Sequence, residues 1–276
     1  KDEIFYTLWA ELRGMGSNVM IWVEKSELQD GTVKDVFATD LVNAFEVSTP
    51  SGSIDNTKGI ISIEREVFGD EPNKDGDGIT DVLLLDVRDF FEDNNVSFIS
   101  GFFLPNDQQN KSVNQNSNER DLLYLDTKPG ISQGTLLVTA SHEYQHLIHY
   151  NYDPSEINLI NEGASQLAQI VTGYGWDDPT VFLDNPNRGL FFWGEISDPT
   201  ILADYAKAQM WFIYIWDQFG PAFVKALVQS SFSGRSSLLR VFSDLGGGQI
   251  FADVVQKWLI ANYLNDTEID PSYGYF

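Results

Sequence analysis

All three histidines of this 276-residue chain, His142, His146 and His149, lie within eight consecutive residues. The first two are four positions apart, and Glu143 directly follows the first. Apolar spacing over 136–150 predicts a helix, on which residues four apart lie about 40° apart in azimuth and about 6 Å apart along the axis. Two imidazoles so placed can bind one Zn²⁺ at about 2.0–2.1 Å. We therefore expect a fold in which one face of this helix holds a metal.

Glu143 lies to the side of the two histidines on the predicted helix. From there its carboxylate can hold a metal-bound water and accept the proton of that water. The alternative is a solvated helix whose histidines are incidental. Because the chain has no other histidine, the pattern favours a metal site with a general base.

A catalytic zinc usually takes three protein ligands and one water, so a third ligand is needed. His149 lies on the same face as His142 but about 10 Å further along the axis, and three ligands in line on one straight helix cannot converge. His149 is therefore expected to pack in the interior or to support a metal ligand without touching the metal. The best candidate is Glu162, on the next predicted helix, which a turn at 153–155 allows to fold back. Asp153 and Glu156, in that turn, are the alternative carboxylates.

Composition excludes several classes of partner and site. Lysine and arginine total 17 against 41 aspartates and glutamates, a formal net charge of −24. This charge repels phosphate backbones and anionic lipid, so we expect neither a nucleic-acid partner nor binding to a membrane surface. Cysteine is absent, which excludes disulfides and thiolate ligands. No apolar run reaches the roughly 18 residues of a membrane span.

The order of the predicted elements indicates an α+β fold. Residues 1–150 form a mixed α/β lobe with a twisted sheet, which ends in the histidine helix. Residues 151–276 form a mainly α-helical lobe that carries Glu162, and the two lobes together make one catalytic module. We predict strands at 4–9, 18–23, 81–87, 97–104 and 122–125, and helices at 33–47, 60–68, 136–150, 157–171, 201–219, 221–231, 236–245 and 251–263.

The segment from 73 to 81 resembles a calcium-binding loop. It matches the pattern D/N-x-D-x-D-G-x-x-D, and oxygen donors at this spacing around a glycine turn suit Ca²⁺. Position 12 is a leucine where an EF-hand has a bidentate glutamate, so this is not an EF-hand. The alternative is a plain turn rich in glycine and aspartate. The expected calcium ligands are Asn73, Asp75, Asp77, the carbonyl of Ile79, and Asp81.

The motif His142-Glu143-x-x-His146, followed by Asn161-Glu162-Gly163, resembles the gluzincin metallopeptidases. Within them the chain most resembles the hyicolysin family of secreted bacterial neutral metallopeptidases. The segments that extend this resemblance are 18–23, 122–126 and 257–263. The resemblance implies a zincin-like fold, Zn²⁺ as cofactor, a protein or peptide substrate, and an extracellular or cell-surface location. It also implies a substrate cleft whose edge is the strand at 97–104.

Tyr205-Ala206-Lys207-Ala208 is similar to the Tyr-x-Lys-Gly segment of gluzincin aminopeptidases. The tyrosine of that segment donates a hydrogen bond to the oxyanion, so the resemblance implies this role for Tyr205. The alternative is a tyrosine that anchors a buried helix. The chain departs from thermolysin-like enzymes at Gln166, where those have an acid four residues after the ligand glutamate.

The sequence predicts a zinc-dependent endopeptidase that uses a metal-activated water and Glu143 as general base. An aminopeptidase is an alternative, but the Gly-x-Met-x-Asn loop of those exopeptidases is absent from the sequence. The other alternative is a non-catalytic binding or adhesion module stabilised by zinc. The presence of Glu143 argues against it, because a structural site has no use for a general base.

Overall fold

A computed structural model describes residues 5–89, 99–128, 132–195, 198 and 200–276. The described elements make up an α+β fold of the zincin-like kind. The chain divides into two compact units. The first contains residues 1–64, 71–147 and 171–174, and the second contains 65–70, 148–170 and 175–276. Each helix in the described residues is too short or too polar to cross a bilayer.

The first unit is built on one mixed sheet, which has five strands among the described residues. Their order is β1-β2-β3-β5-β4. The three central strands are parallel, and an antiparallel strand flanks them at each edge. Among the described residues, β4 is therefore one edge of this sheet. The bounds are β1 Ala10–Met15, β2 Val19–Glu24, β3 Thr80–Leu85, β4 Gly101–Phe103 and β5 Leu122–Asp126.

Alternation along the strands gives the sheet two apolar faces. One face carries fully buried side chains such as Ile21, Leu84 and Leu123. The other carries a smaller cluster that includes Leu83 and Tyr124, beside a cavity of about 1010 Å³. Strands β3 and β5 are buried throughout. Central parallel strands of this kind have side chains packed on both faces, and their sequences are therefore continuous apolar runs.

In the described part of the chain, four helices accompany the sheet: α1 Lys25–Gln29, α2 Asp35–Glu46, α3 Ile60–Val67 and α4 Gln133–Tyr152. Helix α2 packs against β1 and β2. Phe45 of α2 meets Tyr144 of α4 edge to face, with ring centroids 5.8 Å apart. The helices predicted at 33–47, 60–68 and 136–150 are confirmed, and the last one is longer at both ends.

The strand predicted at 4–9 is wrong, because residues 5–9 are not in a strand and β1 begins at Ala10. The hairpin closes where the N–H of Gly16 donates to the carbonyl of Val19, so the residues nearest that turn pair with β2. Gly14 lies inside β1, where an added Cβ would lie 3.0 Å from the carbonyl oxygen of Ala38. Because α2 packs this closely against β1, position 14 favours glycine, although glycine has a low propensity for strands.

The strands predicted at 18–23, 81–87 and 122–125 are confirmed, and their observed ends differ from the predicted ends by at most two residues. The strand predicted at 97–104 is observed as β4, although its positions 97 and 98 lie outside the described residues. Between β4 and β5 the polar segment 106–120 contains a short 3₁₀ helix, Pro105–Gln108. Asp107 within it is fully buried and accepts a hydrogen bond from the hydroxyl of Tyr124 at 2.6 Å.

The second unit is helical. Its core gathers large aromatic side chains of α7 and its neighbours, such as Trp211, whose ring meets that of Trp258 edge to face at 5.4 Å. Gly220, with φ of 77°, ends α7 and Pro221 begins the next helix, as the sequence predicts. Helix α6 was not predicted. The bounds are α5 Asn158–Val171, α6 Thr180–Leu183, α7 Ile201–Phe219, α8 Pro221–Val228, α9 Arg235–Leu245 and α10 Phe251–Leu264.

Asp126, at the end of β5, makes the stability of the fold depend on pH. Burial raises the pKa of its carboxyl to about 6, against about 3.9 in an unfolded chain. The folded state therefore favours the protonated carboxyl. This preference stabilises the fold fully below about pH 4, and the stabilisation is lost as the pH rises through 6. We therefore expect Asp126→Asn to raise the melting temperature by a few degrees at pH 7.5, corresponding to on the order of 2 kcal/mol, and to change it little at pH 4.5.

Asparagine is a matched replacement here. The N–H groups of Val87 and Lys128 both donate to Oδ1 of Asp126, each at 3.0 Å, and an amide oxygen can accept both. Thermal melts from pH 4.5 to 7.5 measure the effect, with the exposed Asp253→Asn as control. An equal rise at both pH values would mean that the ionisation of Asp126 is not the cause.

Candidate metal centre

His142, His146 and Glu162 form a group that could hold a metal ion. Each offers one ligand atom, these atoms all lie within 4.8 Å of one another, and each residue is partly buried. Among the described parts of the chain, no other group of three or more histidines and carboxylates meets these conditions. Two imidazole nitrogens and one carboxylate oxygen are the donor set of a catalytic zinc site with one position left open.

The two histidines present the same ring nitrogen to one point. Their Nε2 atoms are 3.1 Å apart, and their rings are nearly perpendicular, with centroids 4.8 Å apart. Two ligands bound to a tetrahedral zinc at about 2.0–2.1 Å would lie about 3.3 Å apart. Helix α4 supplies this arrangement locally, because positions i and i+4 lie on the same face.

Helix α5 supplies the carboxylate, and Gly163 explains how closely that helix packs. A β carbon at position 163 would lie 2.2 Å from Cδ2 of Phe212 on α7. Only glycine fits such an approach. The glycine that follows Glu162 in the motif therefore has a structural reason, since it sets α5 directly against α7.

The alternative carboxylates serve the turn between α4 and α5. Oδ1 of Asp153 accepts from the N–H and hydroxyl of Ser155, and Oδ2 accepts from Ser233 at 2.6 Å. Burial opposes ionisation of Asp153, but these hydrogen bonds outweigh it and lower the pKa. Oε1 of Glu156 accepts from the N–H groups of Ile157 and Gly234. Neither carboxylate belongs to the metal-holding group.

His149 also lies outside that group, although it is on the same helix as His142 and His146. It is almost completely buried. Its role in packing or in supporting a ligand stays a prediction.

Glu143 is buried, and its carboxylate is fixed by the edge of the sheet. Oε2 accepts a hydrogen bond from the N–H of Phe103 in β4 at 2.9 Å. The carboxylate thus joins the histidine helix to the edge strand. Sequence reasoning missed Phe103, because the contact uses a backbone donor and every non-proline residue carries one.

Tyr205 lies near the start of α7 and is partly buried. Its ring meets the ring of Trp193 edge to face, with centroids 5.1 Å apart. Trp193 was not predicted from the sequence, since it lies in a segment without regular structure and has no motif around it.

Gln166 occupies the position one turn after Glu162 on α5. Its Nε2 donates to Oδ2 of Asp177 at 2.9 Å, and the backbone N–H of Asp177 donates in turn to Gln209. The carbonyl oxygen Oε1 of Gln166 is buried and accepts no hydrogen bond from any described residue.

The structure gives no support to the calcium site. Asp81 is buried in β3, where Oδ1 accepts from Trp22 Nε1 at 2.6 Å and Oδ2 accepts from Arg120 at 2.5 Å. Oδ1 of Asn73 accepts from the N–H of Gly78, and Oδ1 of Asp77 accepts from the N–H of Ile79. These short-range contacts are those of a turn stabilised by its own side chains.

The chain has a relative among curated proteins. It is 27% identical over 149 residues to the neutral metalloprotease ShpI of Staphylococcus hyicus. The match covers 51% of this chain and 30% of that protein, so the chain spans less than a third of the relative's length. No family model matches the chain.

Proposed function

We propose that the chain is a zinc-dependent endopeptidase, in which His142, His146 and Glu162 hold the metal. The observation that carries the proposal is the convergence of their three ligand atoms within 4.8 Å. The similarity to a neutral metalloprotease supports the same general class, a zinc metallopeptidase. The gluzincin subtype rests on the ligand set and on the sequence around Glu162.

Zn²⁺ bound by this group would polarise a carbonyl and lower the pKa of a bound water to about 7. Glu143 would act as the general base, accepting a proton from a water at this site and later giving it to the leaving amine. Its other carboxylate oxygen is held by the N–H of Phe103. A positioned base of this kind contributes about 10²- to 10⁴-fold to the rate.

The substrate is a protein or peptide in an extended conformation. Strand β4 is a sheet edge, antiparallel to β5, and a peptide can add to such an edge through main-chain hydrogen bonds. Because Phe103 of β4 contacts Glu143, a peptide bound along this edge would pass close to the general base. This edge is the substrate cleft that we propose.

Tyr205 is the proposed donor to the oxyanion formed at the scissile carbonyl. Removing one donor of this type costs about 2.7–4 kcal/mol in other hydrolases. The two lobes, 1–150 and 151–276, act together as one catalytic module in this proposal, and the enzyme is extracellular or at the cell surface. Calcium has no part in it, because Asp81 is committed to Trp22 and Arg120.

A mixed-sequence peptide library with blocked amino termini tests the proposal. We expect the zinc-loaded protein to cut internal bonds, a chelator to stop the cleavage, and added Zn²⁺ to restore it, all read by mass spectrometry. Cleavage only of unblocked peptides from the amino end would identify an aminopeptidase. Zinc binding without cleavage of either library would favour a zinc-stabilised binding module.

A further inference from the structure

A cluster of three charged side chains is buried at the start of α7. Asp204 and Lys207 are fully buried, and Arg188 is mostly buried. The guanidinium of Arg188 binds both oxygens of Asp204, at 2.8 and 2.5 Å, and Nζ of Lys207 lies 2.8 Å from Oδ1. Burial alone would raise the pKa of Asp204, but these bonds outweigh it and lower the pKa. Buried charges persist only when their hydrogen bonds are satisfied in this way.

The cluster fixes the segment 188–194 at several backbone positions. The N–H of Gly194 donates to Oδ2 of Asp204 at 2.9 Å. Nζ of Lys207 donates to the carbonyl oxygens of Gly189, at 3.2 Å, and of Phe192. A segment outside regular structure is normally mobile, but here three of its backbone groups are bonded to fully buried charges on α7.

The result of this anchoring is the placement of Trp193. Its neighbours on both sides, Phe192 and Gly194, are the residues bonded to Lys207 and Asp204. Nζ of Lys207 also lies 5.8 Å from the centroid of the Trp193 ring, within cation–π range. The indole meets the ring of Tyr205 edge to face, with centroids 5.1 Å apart, which is a favoured geometry for a pair of aromatic rings.

We propose that Trp193 is a positioning residue for the hydroxyl of Tyr205, and that the buried Arg188–Asp204–Lys207 cluster exists to hold it there. This inference rests on the oxyanion role proposed for Tyr205. A ring that can tilt moves its hydroxyl, and a displacement of about 1 Å at a reacting group can cost 10²-fold in rate. Trp193 acts by limiting that tilt and does not itself touch the substrate.

A double-mutant cycle tests the inference. Tyr205→Phe is expected to lower kcat about 10²- to 10³-fold. Trp193→Ala is expected to lower kcat about tenfold with KM nearly unchanged, and Trp193→Phe, which keeps an aromatic ring, to restore most of the loss. In the Tyr205→Phe background Trp193→Ala should have almost no further effect on kcat, because the hydroxyl it positions is gone. Trp176→Ala, at an exposed tryptophan of the same unit, is the control.

Each contrary result has a separate meaning. An equal loss from Trp193→Ala in both backgrounds, or a rise in KM alone, would overturn the positioning role. No loss from Tyr205→Phe would overturn the role of Tyr205 and this inference with it, whereas a loss from Glu143→Gln would still uphold the metallopeptidase. Thermal melts check that each variant is folded. If Trp193→Ala does not fold, Trp193→Leu keeps the apolar volume without the ring and replaces it.

Discussion

Glu143→Gln is expected to lower kcat for peptide cleavage by about 10²- to 10⁴-fold, because the amide cannot accept a proton from water. The replacement is nearly isosteric, and its amide oxygen can still accept the hydrogen bond from the N–H of Phe103. The fold and the three metal ligands therefore stay in place. Cleavage of a blocked reporter peptide measures the rate, and the zinc content of the purified protein shows that the metal is retained.

Glu268→Gln is the matched control, because it makes the same chemical change at an exposed position of the second unit. This control should keep the rate of the wild type. If Glu143→Gln cleaves within threefold of the wild type while zinc is bound, Glu143 is not the base and the proposed mechanism is wrong. If both variants lose activity equally, the loss has another cause.

Glu162→Gln is expected to weaken zinc binding more than hundredfold. Loss of a residue that only supports a ligand costs 10- to 100-fold in affinity, and Glu162 offers a ligand atom itself. Competition with a chromogenic chelator measures the affinity. The wild type should also lose melting temperature when it is stripped of zinc, because a ligand at 1,000 times its Kd stabilises a fold by about 4 kcal/mol. The melting temperature of Glu162→Gln should change little when zinc is removed.

Glu156→Gln is the control for this experiment, since Glu156 was an alternative ligand on sequence grounds. Its Oε1 accepts two backbone N–H groups, and it lies outside the metal-holding group. An amide oxygen can still accept both of these N–H groups, so we expect Glu156→Gln to keep the fold and to leave the zinc affinity unchanged. The reverse outcome, in which zinc binding is lost in Glu156→Gln and kept in Glu162→Gln, would exchange the two assignments.

Local patterns in the sequence predicted what depends on local geometry. The spacing of His142 and His146 requires only that the segment is helical, and α4 brings their Nε2 atoms within 3.1 Å. Glu162 was predicted from the turn that precedes its helix, and the structure brings its carboxylate to the same group. Helix periodicity repeats within a few residues, so it can be read without knowledge of the rest of the chain.

The strand predicted at 4–9, which is wrong, and the calcium loop, which the structure does not support, both involve contacts between distant residues. The first strand was placed at 4–9 from its apolar composition, but pairing with β2 selects 10–15. The calcium loop was predicted from its oxygen donors, but Asp81 forms part of β3 and bonds to Trp22 and Arg120. In both cases a tertiary contact overrides a local preference.

The sequence by itself determined the helix that carries the histidines and the α+β class, because each follows from short-range spacing. For the third carboxylate it favoured Glu162 but left Asp153 and Glu156 open, and only the tertiary structure placed Glu162 with the histidines. Only the tertiary structure decided which backbone group bonds to Glu143 and which ring contacts Tyr205. The N–H of Phe103 is 40 positions from Glu143, and Arg188 is 16 positions from Asp204. No periodicity connects such residues. They meet because the sheet edge packs on α4 and because buried charges on α7 must be satisfied by the nearest available segment.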